Sequence, residues 1–173
     1  MHSVIIRDVK TEDIPQIART HVQSWQTTYT GQLPQSYLDD LSIPKRERTW
    51  TAALQMPQHK MLVAEHGGIV VGFSSFGPSR DDDCKPKGGE LYAIYLKEEY
   101  KGRGIGKSLW EETLKALNNL GYVEITLWVL DTNRRARDFY EKVGFVKDGK
   151  SKTENIGGKE VVELRYRMML DEK

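Results

Sequence analysis

The chain has 173 residues, room for one domain with a sizeable core, and its 38% hydrophobic and 29% charged content suits a soluble globular protein better than a disordered one. With 26 Lys and Arg against 25 Asp and Glu the formal net charge is +1, so no global field recruits nucleic acid or an acidic membrane, and any anion site must be local. The lone Cys84 excludes an internal disulfide and fits a reducing, cytoplasmic setting, while four scattered histidines (His2, His21, His59, His66) and the lack of a CxxC pair argue against a metal site.

The N-terminal stretch MHSVIIRDVK lacks the apolar core of a signal peptide, and the longest apolar runs, such as Ile69 to Phe73, are far too short to span a bilayer. VIIRDVK reads as a first strand. Thr11 then caps a helix starting around Glu12, with Ile14, Ile17, Ala18 and Val22 on one face. Gly31 and Pro34 break the aromatic-rich stretch that follows into a helix end, a loop and a short second helix, and a third helical piece runs from Lys45 to Leu54. MLVAE and IVVGFSSFG, joined by HGG, form a hairpin signal. PSRDDDCKPKGG is the one long irregular loop; its run Asp81 to Asp83 reads as a solvated surface and Cys84 as incidental.

ELYAIYL alternates like a fourth strand, whose alternation puts Glu90, Tyr92 and Ile94 on one face, and it leads into YKGRGIGKSL. The helix after it carries Ile105, Leu109, Leu114, Leu117 and Leu120 and stops at Gly121. VEITLWVL is a fifth strand. A short helix with Ala136, Phe139, Tyr140 and Val143 on one stripe follows and ends at Gly144. Two closing strands, around Phe145 to Lys150 and Lys159 to Met168, flank a turn at Gly157-Gly158. The order β-α-α-β-β-β-α-β-α-β-β within a single domain over 1–173 implies an α/β fold: a mixed, mostly antiparallel sheet covered by helices on both faces.

The glycine stretch can be tested against two phosphate loops. A Walker pattern ending on Gly106-Lys107-Ser108 needs glycine at 101, where Lys101 stands. A dinucleotide fingerprint started at Gly102 or Gly104 needs glycine at 107 or 109, which are Lys107 and Leu109. What remains is Lys101-x-x-Gly104-x-Gly106 between a strand and a helix. Free N–H groups at a helix start receive phosphate oxygens, glycines at 102, 104 and 106 keep side chains out of the way, and Lys101, Arg103 and Lys107 add local charge. The bland alternative is a tight turn that needs glycine for its backbone angles alone.

KGRGIG resembles the [QR]-x-x-G-x-[GA] signature of the GCN5-related N-acetyltransferases, departing from it only in the first residue, and NRRARDFYEKVGF resembles that family's N-x-x-A-x-x-x-Y-x-x-x-G-F region. The resemblance covers nearly the whole chain and implies acetyl-coenzyme A as co-substrate, with the acetyl group passed directly to a primary amine in a ternary complex. It implies that Ile94, Tyr95, Leu96, Lys101, Gly102, Arg103, Gly104, Ile105, Gly106, Lys107, Asn133 and Tyr140 contact the cofactor, with the backbone N–H of Ile94 facing the thioester carbonyl and that of Leu96 the pantetheine arm. A bulge in the fourth strand would leave such groups unpaired. It makes Tyr140 the general acid for the departing thiolate, although spacing alone puts Tyr140 in the apolar stripe; Asn133 is also the N-cap of that helix.

Glu90 is the candidate base, acting through water with a pKa raised by partial burial; the alternative is a solvated glutamate at a strand end, with Tyr92 as substitute base. In the family the first helices build the acceptor wall, where Trp25, Tyr29 and Tyr37 fall and Tyr92 contributes; ordinary packing is the competing account for these and for Trp50 and Trp128. The resulting expectation is an N-acetyltransferase of small amines, polyamine or amino-acid-like, with a protein N-terminal or lysine acetyltransferase and a non-catalytic acyl-coenzyme A sensor as alternatives. Neither nucleic acid, membrane nor metal is expected to take part; a homodimer is compatible with the sequence.

Overall fold

The computed structural model describes residues 3–171. In chain order it contains β1 (Val4–Asp8), α1 (Ile14–Tyr29), α2 (Gln35–Asp39), α3 (Ile43–Leu54), β2 (Lys60–His66), β3 (Ile69–Pro78), β4 (Gly88–Leu96), α4 (Ile105–Asn119), β5 (Glu124–Leu130), α5 (Arg134–Lys142), β6 (Val146–Ile156) and β7 (Lys159–Met169). The strands form one sheet in the order β1-β2-β3-β4-β5-β7-β6. Every neighbouring pair is antiparallel except β4 and β5. The sheet is therefore mixed and mostly antiparallel, as expected.

Three local features differ from the sequence-based expectation. The third helical piece is a full helix that starts at Ile43 and not Lys45, because Ser42 caps it through Lys45 N–H and Pro44 sits in its first turn, so β1 and β2 are separated by one helix more than the condensed order counts. Thr11 lies in a single 3₁₀ turn, and it is Asp13 that reaches back to the N–H of Lys10 (2.7 Å) while Arg7 holds its other oxygen. β6 runs six residues beyond Lys150; its polar sequence hides a strand because it is the sheet's edge, where one face and one side meet water.

The sheet's two faces bury different helices. Leu109, Trp110 and Leu117 of α4 pack with Phe76, Leu91, Ile125, Leu127 and Phe145 on one face, with Ala136, Phe139 and Tyr140 of α5 beside them. Ile14, Ile17 and Ala18 of α1 pack with Trp50, Val63 and Phe73 on the other. Each fully buried Leu, Ile or Phe contributes about 1.5–3 kcal/mol relative to exposure. A buried hydroxyl pair, Ser74 and Thr113 (2.7 Å), fixes α4 on β3.

The parallel contact between β4 and β5 is short. It joins Gly88 to Glu124, Gly89 to Ile125 and Glu90 to Thr126, and then stops. Close approach there requires glycine: a side chain at Gly88 would strike the backbone of Cys84, and one at Gly89 would meet the Tyr122 ring at 2.9 Å. Beyond Glu90, β4 stays with β3 as far as Leu96, and β5 stays with β7 as far as Leu130. The sheet thus opens in a wedge. Burial follows it: Gly88 to Leu91 are buried, whereas Tyr92 to Leu96, in the middle of a seven-stranded sheet, are only half-buried.

Candidate active site

The β4 side of the wedge is main chain. Lys97 N–H bonds back to Val71 of β3 (2.8 Å), so the alternation of N–H direction along a strand turns Leu96 and Ile94 toward the opening. A bulge makes this arrangement. Ser75 pairs with Ala93 and Phe76 with Leu91, leaving Tyr92 as the extra residue. The expected alternation of Glu90, Tyr92 and Ile94 on one face is therefore broken: Ile94 joins Leu91 against the α4 cluster, while Tyr92 turns its hydroxyl to the carbonyl of Pro78 on the other side.

The glycine loop divides by conformation. Gly102 (φ +74°) and Gly104 (φ +80°) are left-handed, so both are explained by the turn itself. Gly106 is different: it lies in the first turn of α4 with helical backbone, and a side chain there would meet only Phe139, at an ordinary 3.6 Å. Neither strain nor packing requires glycine at 106, which leaves room for a ligand as the account of it. Gly104 is the N-cap and offers no side-chain cap, leaving the N–H groups of Ile105, Gly106 and Lys107 open at the positive end of a fifteen-residue helix. Around them, Lys101 pairs with Glu98 (2.7 Å), Glu98 also holds Arg135 of α5 (2.8 Å), and Arg103 lies over Tyr100. The exposed Lys107 contacts Glu111 at 3.8 Å.

α5 closes the far side of the wedge. Asn133 caps it through Ala136 N–H (3.2 Å) and donates its amide to the Tyr29 hydroxyl (3.1 Å). Tyr140 sits half-buried against Phe139, Phe145 and Tyr166, and no hydrogen bond among the described residues involves its hydroxyl. Burial pushes this phenol's pKa up, and the neighbouring Tyr95 and Tyr29 push it further. It is a protonated donor across the whole physiological range.

The opposite face of the opening is built from aromatic side chains. Trp25 donates to the Tyr95 hydroxyl (2.9 Å), and its ring is 4.8 Å from that of Tyr29. Tyr37 covers the turn at Gly157 instead of entering the opening. His21 stacks on Tyr95 (5.0 Å) and accepts the indole N–H of Trp50 at Nδ1 (3.1 Å), so its proton is on Nε2; burial lowers its pKa to about 3. Trp50 is thus core, as ordinary packing predicts, whereas Trp25 joins Tyr29 and Tyr95, the two phenols whose influence reaches Tyr140.

Glu90 is neither solvated nor partly buried. It is 1% exposed, and Arg80 takes both of its oxygens, with Nε at 2.9 Å and a terminal nitrogen at 3.0 Å, while the Arg80 backbone N–H adds a third contact. The same guanidinium lies 5.0 Å from the Tyr92 ring, whose other neighbour is His59, itself bonded to Ser75 (2.7 Å). The aspartate run is a solvated surface only in part: Asp82 is exposed, but its two neighbours are engaged. Asp81 and Asp83, with Asp148, surround the buried Arg165, and Cys84 is buried among them. Arg165 and Lys150 hold the Asp83 carboxyl well below its usual range. Asp81, Asp83 and Cys84 lie close enough to suggest a cation site, but Arg165 contacts all three and already supplies the positive charge. Arg80 and Arg165 were missed in the sequence because only the folded loop shows which carboxylate each one meets.

The sequence profile described as the Acetyltransferase (GNAT) family matches residues 21–145. The chain belongs to the GNAT family. This N-acetyltransferase is 37% identical over 130 residues to the uncharacterized N-acetyltransferase YuaI of Bacillus subtilis, covering 75% of this chain and 73% of that one. It is 32% identical over 169 residues to the probable N-acetyltransferase Rv2775 of Mycobacterium tuberculosis, covering 96% and 94%. It is also 26% identical over 170 residues to the spermidine N(1)-acetyltransferase of Thermoplasma acidophilum, covering 95% and 98%. A solved structure of the PaiA N-acetyltransferase from Thermoplasma acidophilum in complex with coenzyme A superimposes with a TM-score of 0.73 at 25% identity, covering 97% of this chain and 99% of that one. Among the described residues of the GNAT chain no helix is long and apolar enough to cross a membrane.

Proposed function

We propose that the chain transfers an acetyl group from acetyl-coenzyme A to a primary amine of a small molecule, by direct attack with both substrates bound in the wedge. The observation that carries this reading is Gly106: a glycine that neither backbone angle nor packing demands, at an uncapped helix start beside an open strand edge. These features suit a pyrophosphate at Ile105 to Lys107 and a pantetheine arm along β4. Similarity to a coenzyme A complex supports the same placement. Acetyl-coenzyme A supplies an activated thioester.

The chain's own groups then do the following. The Ile94 N–H, turned toward the opening, donates to the acyl oxygen as charge develops there. Tyr140, kept protonated by burial and without a partner of its own, gives a proton to the leaving sulfur. Trp25 and Tyr29 exclude water from one wall. Glu90 serves as base once Arg80, whose side chain is 67% exposed, swings off one of its oxygens. Similarity to a spermidine acetyltransferase supports an amine acceptor of that kind.

Purified protein given acetyl-coenzyme A with a panel of polyamines, amino acids and peptides should release thiol with the small amines. No release with any of them would sink the reading. Glu90→Gln should lose rate at neutral pH and recover toward high pH, where free amine is abundant. Superimposed single-turnover rates from mildly acid to alkaline pH would instead remove Glu90 from the role of base.

A further inference from the structure

Lys152 lies on β6, the edge strand, where a lysine ordinarily points to solvent. Here it folds inward. Its Nζ lies 3.3 Å from Glu163 of β7 and 3.7 Å from Glu154, and it sits 4.3 Å from the ring centre of Trp128, two strands away on β5. The Trp128 ring is fixed by its own N–H, which donates to Asp81 (3.0 Å). An ammonium group on an aromatic face between two carboxylates is a complete cation site, and the protein's own lysine shows that it works.

Several observations set this apart from a surface ion pair. The Glu163 side chain is only 18% exposed, less than half the 40% of its lysine partner. It pairs in register with Leu130, the last residue of β5 at the open end of the wedge. Its charge is felt by Tyr29 of α1 and Tyr95 of β4, on the acceptor wall, and it feels Arg80 from the loop after β3 as well as Lys152 and Glu154 of β6. Burial pushes the Glu163 carboxyl above its usual range, so a second cation nearby is welcome. Trp128 lies two residues beyond Thr126, the register partner of Glu90, on the same face of the sheet, and Glu163 pairs with Leu130 two residues further on, so both stand along the wall of the wedge beyond the candidate base.

We propose that Trp128, Glu163 and Glu154 seat a second, non-reacting ammonium of the acceptor, that the acceptor is therefore a diamine or polyamine, and that Lys152 is the resting occupant it displaces. This inference rests on the amine-acetyltransferase reading above. Glu163 acts as a specificity residue: it holds the far end of the substrate and leaves the chemistry to the wedge.

Steady-state thiol release from putrescine and from butylamine, which differ by one terminal amino group, tests it. The wild-type protein should favour putrescine at least tenfold in kcat/KM. Glu163→Gln should raise the putrescine KM about tenfold, leave butylamine and acetyl-coenzyme A unaffected, and so erase the preference. Lys152→Met should act in the opposite sense and lower the putrescine KM severalfold, because the carboxylate no longer has to give up a tethered cation. A purely structural ion pair would make both variants worse, and that outcome overturns the proposal. Equal rates with both amines in the wild type also overturn it while leaving the acetyltransferase reading intact, as does release from another amine of the panel but from neither of these; absence of release throughout the panel overturns both.

Discussion

The two sides of the wedge are made of different material. On the cofactor side, the proposed contacts are main-chain N–H groups of Ile94, Leu96 and Ile105 to Lys107, with one phenol, Tyr140. On the acceptor side nearly everything is side chain, and most of it is already engaged: Glu90 by Arg80, Tyr95 by Trp25, His21 by Trp50, Glu163 by Lys152. A surface of backbone donors suits a ligand that never changes. A surface of interlocked side chains can be re-cut by single substitutions without disturbing the sheet.

The sharpest way to test that contrast is the one side chain on the cofactor side that should matter. Tyr140→Phe keeps the ring's packing against Phe139 and Phe145 and removes one hydroxyl. Turnover should fall by roughly ten- to a thousandfold, with the melting temperature unchanged. A variant that melts earlier yet keeps its rate would return Tyr140 to the core.

Acid should attack the acceptor side first. The unfolded chain protonates His21 near the ordinary histidine value of 6.5, the native chain only near 3. Stability present above pH 6.5 is therefore lost as the pH falls through that window, by on the order of 5 kcal/mol at most. Urea titrations across the window should show this slope in the wild type and lose it in His21→Gln. An unchanged slope in the variant would assign acid sensitivity elsewhere.

The glycines offer a finer cut. Gly106→Val should weaken coenzyme A binding at least tenfold by calorimetry while the protein stays folded, because its helical backbone and the 3.6 Å contact tolerate a side chain. Gly104→Val, at φ +80°, should instead cost stability, about 1–3 kcal/mol. Equal behaviour of the two would remove the distinction between turn glycine and ligand glycine. The smallest effects belong to charge: alanine at Lys101, Arg103 or Lys107 should each weaken cofactor binding less than about fivefold, since Arg103 and Lys107 are exposed and screened and Lys101 is already paired with Glu98. A larger loss at one of them would mean that a side chain, not the helix start, carries the phosphate.

The same division explains what could be read from the sequence. The glycine loop, the Asn133 cap and the strand and helix order are written in local backbone preferences, so KGRGIG and the 3.6-residue stripe of α5 were legible. Glu90 was legible as a residue but not as a pair. Its partner Arg80 lies across an irregular loop, and no periodicity announces which carboxylate an arginine will meet. A bulge in the fourth strand was raised by the family resemblance, but its place at Tyr92 was not legible: a bulge is a property of two strands, and only one is seen at a time in a sequence. Glu163 and Lys152 read as the ordinary polar pattern of closing strands until β6 is laid beside β7 and β5.

The bond from Asn133 to the Tyr29 hydroxyl joins the helix that carries Tyr140 to the wall that faces the amine. In the proposed ternary complex each substrate would settle a residue belonging to the other's half, and linkage makes such an influence mutual: whatever one ligand gains from finding the second already in place, the second gains equally from the first. The hydrogen bond is a handshake between two binding events, and a preferred order of arrival would follow from it without any moving lid.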